Sequence, residues 1–133
     1  MEIREYTRYN EDEILKLYSA VGWTSYTKNP SVLKRGYDNS LLTLAAYEGS
    51  DLLGIIRAVG DSATIICIQD LLVFPEQQRK GVRSALLREM LDRYTDVRQI
   101  VLITDQSEKT VAFYQSEGLQ ELSRLGCCGF MKC

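Results

Sequence analysis

The sequence predicts a single α/β domain over residues 1–133, and three observations carry that reading. Apolar residues recur at helical spacing near the start of the chain and again after Gly81. Between them, from Leu41 to Phe74, the texture turns to strand-like runs of Leu, Ile and Val, broken by turns containing Gly, Asp and Ser. No repeat, low-complexity stretch or linker interrupts the 133 residues, and hydrophobic types make up 45% of them, enough to bury one core.

Met1–Tyr6, with Ile3 among charged neighbours, reads as a first short strand. Asn10 or Asp12 can cap the helix that follows, whose apolar positions Ile14, Leu15, Leu17, Tyr18 and Val21 form one face; Gly22 suits its stop. Trp23–Thr27 reads as an aromatic, polar loop. Pro30 fits the first turn of a second short helix that runs to Asn39 and carries Val32, Leu33 and Tyr37. Leu41–Tyr47 and Leu52–Val59, joined by the turn Glu48–Asp51, read as a hairpin. Gly60–Ser62 then turns the chain into a long strand, Ala63–Phe74, which Pro75 ends. The next helix presents Val82, Ala85, Leu86, Leu87, Met90, Leu91 and Tyr94 on a wide apolar face. Gln99–Thr104 is a further buried strand and Lys109–Glu117 a helix stopped by Gly118; Leu119–Lys132 is expected to form one or two closing strands.

Composition narrows the chemistry. There is no histidine, so Ser-His-Asp and Cys-His nucleophile pairs and all His-ligated metals are excluded. Proton transfers must run through carboxylates, tyrosines, thiols, lysines or water. The formal net charge of −2 argues against a nucleic-acid or membrane-surface protein, whose footprint would be basic. Cys67, Cys127, Cys128 and Cys133 show no C-x-x-C spacing, and Cys67 lies in an apolar run as a small buried hydrophobe. No metal is expected. With no targeting segment or long apolar run, the expectation is a soluble, reduced, cytoplasmic protein.

The stretch Leu71–Leu87 carries the strongest functional signal: a strand, a sharp turn at Pro75, a basic loop with Gly81, then a helix. A helix N-terminus leaves N–H groups unpaired and carries partial positive charge, so a pyrophosphate suits it; Arg79, Lys80 and Arg83 add three cations. Neither a Walker loop nor G-x-G-x-x-G is present. The competing reading is a solvated first turn with an ordinary loop glycine.

Val73, Pro75, Gln78 and Gly81 match in register the motif V-x-P-x-x-[QR]-x-x-G-x-[GA], and Phe113–Leu119 is similar to F-Y-x-x-x-G-F with Leu119 in place of Phe. With the order of elements, these residues resemble the GNAT-type N-acetyltransferase superfamily over nearly the whole chain. The resemblance implies a mixed, mostly antiparallel central sheet of six to seven strands flanked by about four helices. It implies acetyl-CoA in a V-shaped opening between the strand ending at Val73 and the strand Gln99–Thr104. Backbone groups of Leu71, Leu72 and Val73 would pair with the pantetheine arm. Gln78 belongs to the loop motif, and amides of Arg79, Lys80, Gly81, Val82, Arg83 and Ser84 would hold the pyrophosphate. Arg83 stands where the family has Gly or Ala; its amide can still donate while its side chain points away or meets a phosphate. Ser107 and Thr110 replace a common Asn and Ala, and Ser107 is expected to reach the cofactor arm.

The resemblance further implies direct attack of an amine, a small molecule or a peptide amino group, on the thioester in a ternary complex. Tyr114 matches the acid that protonates the departing thiolate; the alternative is a tyrosine packed with Phe113 on its helix. Asp70 is the first candidate for the base, against an acid that fixes a neighbouring amide or Arg. Trp23 and Tyr26, in a region that lines the acceptor site in this family, can stack on a cationic amine, or Trp23 can close the core. Leu125–Met131 could offer a strand edge to a second copy, giving a homodimer. Two functions follow: an acetyl-CoA-dependent N-acetyltransferase, or a catalytically weak or inactive acyl-CoA-binding protein of the same fold.

Overall fold

The computed structural model describes all of residues 1–133, which form two compact units, Met1–Leu102 and Ile103–Cys133. The first unit runs β1 (Glu2–Glu5), α1 (Glu11–Ala20), a single helical turn α2 (Thr24–Thr27), α3 (Pro30–Asp38), β2 (Leu42–Glu48), β3 (Asp51–Gly60), β4 (Ile65–Val73), α4 (Val82–Arg93) and β5 (Gln99–Leu102). Its strands form one sheet in sequence order, antiparallel throughout except for the parallel β4–β5 pair that α4 connects. The sheet has five strands, which corrects the expected six to seven.

Helices α1 and α3 begin at residues suited to a helix start. Asn10 caps α1 by accepting from the Glu13 amide, and Glu11, Asp12 and Glu13 suit the positive end of its dipole. Pro30 opens α3 where a missing N–H costs nothing. The expected loop Trp23–Thr27 closes into one turn because the Lys28 amide and the Thr27 hydroxyl both reach the Thr24 carbonyl. Ile14, Leu17 and Tyr18 of α1 and Leu33 and Tyr37 of α3 pack on Ala45, Leu52, Ile55, Leu72 and Phe74 of the sheet and its exit. Burying each such aliphatic side chain contributes about 1.5–3 kcal/mol. Val82, Leu86, Leu87 and Met90 of α4 are buried where that helix packs on β2, β3 and β4.

The second unit contains α5 (Glu108–Ser116) and a 3-10 turn at Leu122–Leu125, and none of its residues is buried. The expected closing strands over Leu119–Lys132 are not formed. The Cys127 amide turns back to the Leu122 carbonyl and Gly126 adopts φ 74°, a left-handed stop incompatible with a continuing strand. Leu125–Met131 therefore presents no strand edge for a second copy. No helix is long and apolar enough to cross a membrane.

Candidate functional site

The site begins where β4 loses a neighbour. Its pairing with β5 ends at Ile68 opposite Leu102, yet β4 continues to Val73, so residues 70–73 have a sheet partner on the β3 side alone. The divergence coincides with a bulge: Arg57 pairs with Asp70 and Ala58 with Ile68, leaving Gln69 as the extra residue. On the other side β3 approaches tightly. A Cβ on Gly54 would lie 2.5 Å from the Leu72 carbonyl oxygen, so only glycine permits this contact. Leu72 and Val73 keep their side chains buried while the β5-facing edge of their backbone lacks a strand. Leu71 is half-buried on the same segment.

Beyond Val73 the chain makes a short 3-10 turn, Pro75–Gln77, and enters an exposed loop at Gln78, Arg79 and Lys80. Arg79 has φ 69° and Gly81 φ 83°, left-handed conformations of the kind found where backbone amides gather around an anion. In an arginine that conformation costs of order 1–3 kcal/mol, which locates the strain in this loop. Gly81 is the N-cap of α4, and no side chain caps the helix. The first helical bond runs from the Ala85 amide to the Gly81 carbonyl, so Val82, Arg83 and Ser84 carry first-turn amides. No acidic residue occupies that turn. A Cβ on Gly81 would meet nothing within 4 Å, so the space before the helix is open. An open strand edge leading into an uncapped helix start can hold an extended ligand with an anionic group at its end.

Asp70 lies on this segment, buried to 1% exposure. Its Oδ2 accepts from Arg57 Nε at 2.7 Å and from the Tyr18 hydroxyl at 2.7 Å. Tyr18, having donated its single proton there, accepts from the Tyr37 hydroxyl at 2.9 Å. Arg57 also donates to the Gly36 carbonyl at 3.3 Å and to Ser40 Oγ at 3.1 Å, and stands 5.1 Å from the Tyr37 ring centre. Burial opposes the Arg57 charge, but the Asp70 carboxylate more than restores it and holds the guanidinium above its ordinary value. Burial pushes both phenols far above the usual tyrosine range, so Tyr18 and Tyr37 stay protonated at neutral pH. The Oδ1 atom of Asp70 is buried without a partner.

Trp23 and Tyr26 stack with ring centres 5.8 Å apart, and both rings lie against Tyr18, at 6.1 and 5.4 Å. Trp23 keeps 37% of its surface exposed, so it roofs the core and still offers a face. Tyr37 also lines a cavity of about 400 Å³ with Tyr6, Tyr9 and Thr43. Burial, with Asp70 adding to it, pushes the Cys67 thiol up, which keeps it un-ionised at neutral pH.

In the second unit Ser107 is the N-cap of α5, accepting from the Thr110 amide at 3.2 Å and donating to Thr110 Oγ1 at 2.9 Å. Both bonds lie within its own helix. Tyr114 sits half-buried on α5, edge-on to Phe113 at 5.0 Å, and its carbonyl receives the amides of Glu117 and Leu119. Sequence reasoning allowed Asp70 an Arg partner without naming Arg57, and missed Tyr18, which bonds Asp70, and Tyr37, which bonds Tyr18. The available signal was a single cation in the run Leu52–Val59 and a single anion in Ala63–Phe74, two opposite charges in adjacent apolar strands.

The site is thus a mixed sheet opened between two parallel strands, next to a helix start with no side-chain cap and with basic residues around it. The comparisons place it further. A family model described as an acetyltransferase (GNAT) domain matches residues 7–127. An uncharacterized N-acetyltransferase of Gracilaria tenuistipitata var. liui is 28% identical over 116 residues, covering 82% of this chain and 61% of its own length, so this chain spans about three-fifths of that relative. A GNAT-family acetyltransferase from Streptococcus pneumoniae TIGR4 superposes with a TM-score of 0.90 at 34% identity, over 99% of this chain and 96% of its own. An aminoglycoside 6'-N-acetyltransferase solved with coenzyme A shares the fold at TM-score 0.71 and 18% identity, over 89% and 84% of the two chains. The chain belongs to the GNAT acetyltransferase family.

Proposed function

We propose that this chain transfers the acetyl group of acetyl-CoA to the amino group of a small molecule or peptide by direct attack in a ternary complex, its two units acting as one acetyltransferase domain. The observation that carries the reading is the segment 69–73 of β4 running on past its last β5 partner into the left-handed loop and open start of α4. The backbone of Leu71, Leu72 and Val73 takes the pantetheine arm as an added strand would. The amides of Arg79 to Ser84 take the pyrophosphate, with Arg79, Lys80 and Arg83 supplying positive charge and Gln78 leading into the loop. The open space at Gly81 fits a phosphate there.

The thioester supplies an activated acetyl group. The attacking amine forms the C–N bond and gives up its proton to water, the C–S bond breaks, and the electron pair leaves on sulfur. A β4 amide at Leu72 or Val73 polarises the acetyl oxygen as charge develops on it. We assign Tyr114 to protonate the thiolate, on the strength of its motif position. Trp23 and Tyr26 offer aromatic surface for a cationic acceptor. Asp70, the candidate for the base, stands in a buried ion pair with Arg57.

The test is thiol release from acetyl-CoA across a panel of small amines and peptides. Wild type is expected to release CoA with at least one acceptor. Tyr114→Phe should cut that turnover about 100-fold, the usual worth of a general acid, and leave CoA affinity intact. Affinity without thiol release from any acceptor would favour the acyl-CoA-binding alternative, and an unchanged rate in Tyr114→Phe would remove it from the mechanism.

A further inference from the structure

We infer that Arg57 and Asp70 are positioning residues: their buried pair sets the course of the acetyl-CoA-binding edge of β4 and ties the Trp23–Tyr26 acceptor surface to it. The inference rests on the acetyl-CoA reading above.

Three observations converge on one rung of the sheet. Asp70 is the first residue after the bulge at Gln69, and β4 parts from β5 one residue before that bulge. A bulge alone adds twist and loosens a strand's register. Here the strand is fixed again at once, because Asp70 is gripped by Arg57, its own cross-strand partner, with side chains 0% and 7% exposed. A buried ion pair is a poor source of stability compared with apolar packing, so its geometric consequence is what distinguishes it.

The second observation is reach. Asp70 accepts from Tyr18 of α1, Tyr18 bonds Tyr37 of α3, and Arg57 spans to Gly36 and Ser40 at the end of α3. One rung therefore holds both helices that flank the aromatic turn. The third is the lever arm. Tyr18 is the ring on which Trp23 and Tyr26 both rest, and the Trp23 amide is bonded to the Tyr18 carbonyl at 2.9 Å. A shift of Asp70 is thus felt both at residues 71–73 and at the Trp23–Tyr26 surface.

The test compares Asp70→Asn, Arg57→Lys and Tyr18→Phe with Leu44→Ala, a core truncation on β2 next to Thr43, the residue paired with Arg57, but with its side chain on the opposite face of the sheet. Asp70→Asn is expected to weaken acetyl-CoA binding by on the order of tenfold in calorimetry. Tyr18→Phe, which removes one hydroxyl and keeps the packing, should act in the same direction with smaller effect, and keeps the idea testable if Asp70→Asn does not fold. Arg57→Lys, which keeps the charge, should restore part of the affinity lost in Arg57→Met. Leu44→Ala should leave affinity unchanged despite lost stability. Hydrogen exchange should quicken in Asp70→Asn at the amides of Phe74, bonded to Leu53, and Trp23. With any acceptor, the acid limb of the pH–rate profile should stay in place.

A folded Asp70→Asn with unchanged affinity and exchange overturns the inference. So does a variant that binds normally, loses turnover and loses the acid limb, which would make Asp70 the base. If wild type binds no acetyl-CoA, the proposed function falls, and the exchange comparison alone decides the positioning claim.

Discussion

The starts of α4 and α5 are built in opposite ways. At α5, Ser107 accepts from the Thr110 amide, Asp105 accepts from the Ser107 amide at 2.9 Å and from Thr110 Oγ1 at 3.2 Å, and Glu108 stands in the first turn. That helix satisfies its own N-terminus. At α4 the cap is a glycine with no side chain, the two residues Arg79 and Gly81 are left-handed, and the charged residue of the first turn is Arg83. A cation there works against the helix dipole. The difference lies in what the sequence withholds at α4: the usual Ser, Thr, Asp or Asn cap and the first-turn acid.

The largest expected effect breaks that contrast outright. Gly81→Glu places a carboxylate into space where no atom lies within 4 Å of the new Cβ, directly before the first-turn amides. Acetyl-CoA affinity measured by calorimetry should fall by on the order of 100-fold or more. Gly81→Asn separates charge from backbone strain, because asparagine tolerates the left-handed region. It should bind nearly as wild type does. Equal losses in both variants would show that φ 83°, and not open space for an anion, is what Gly81 provides.

The contrast also explains what was legible beforehand. Val73, Pro75, Gln78 and Gly81 announce a strand, a turn and a helix start because proline fixes the backbone locally and glycine readily takes the left-handed turn, and the structure puts all three elements there. The hairpin β2–β3 and the helices α1 and α3 were readable from periodicity for the same reason. The Asp70 network was not, because partners 13 to 52 positions apart in sequence meet only once the sheet has formed. The bulge at Gln69 is equally silent, since a register shift belongs to two strands at once. The closing segment misled in the other direction: Leu125, Phe130 and Met131 read as apolar strand residues, yet they are 60%, 95% and 68% exposed. Apolar content near Gly126 and Gly129 does not make a strand without an edge to pair with.

The smaller effects sharpen the α5 side. Ser107→Ala removes the cap and should cost α5 about 1 kcal/mol, read as faster hydrogen exchange of its amides. Acetyl-CoA affinity should not change if the Ser107 hydroxyl serves only its own helix. A clear loss of affinity would instead restore the hydroxyl to the cofactor arm and undo the comparison.

The finest test is the titration of Asp105. The Ser107 side chain beside it, with the hydrogen bonds from the Ser107 amide and the Thr110 hydroxyl, holds its carboxyl below the usual carboxylate range. A depressed folded value means the ionised form is favoured by the fold. Its contribution is therefore fully present above the unfolded value of about 4 and is lost as pH falls through the folded value. The carboxyl resonance of Asp105, followed by NMR between neutral and acid pH, should titrate late in wild type and earlier in Ser107→Ala. The exchange protection of α5 should fall over the same acid interval in wild type, whereas Asp105→Asn should show no such step. If Ser107→Ala leaves the Asp105 titration where it was, the self-contained start of α5 is not held by these bonds, and its contrast with the open start of α4 weakens accordingly.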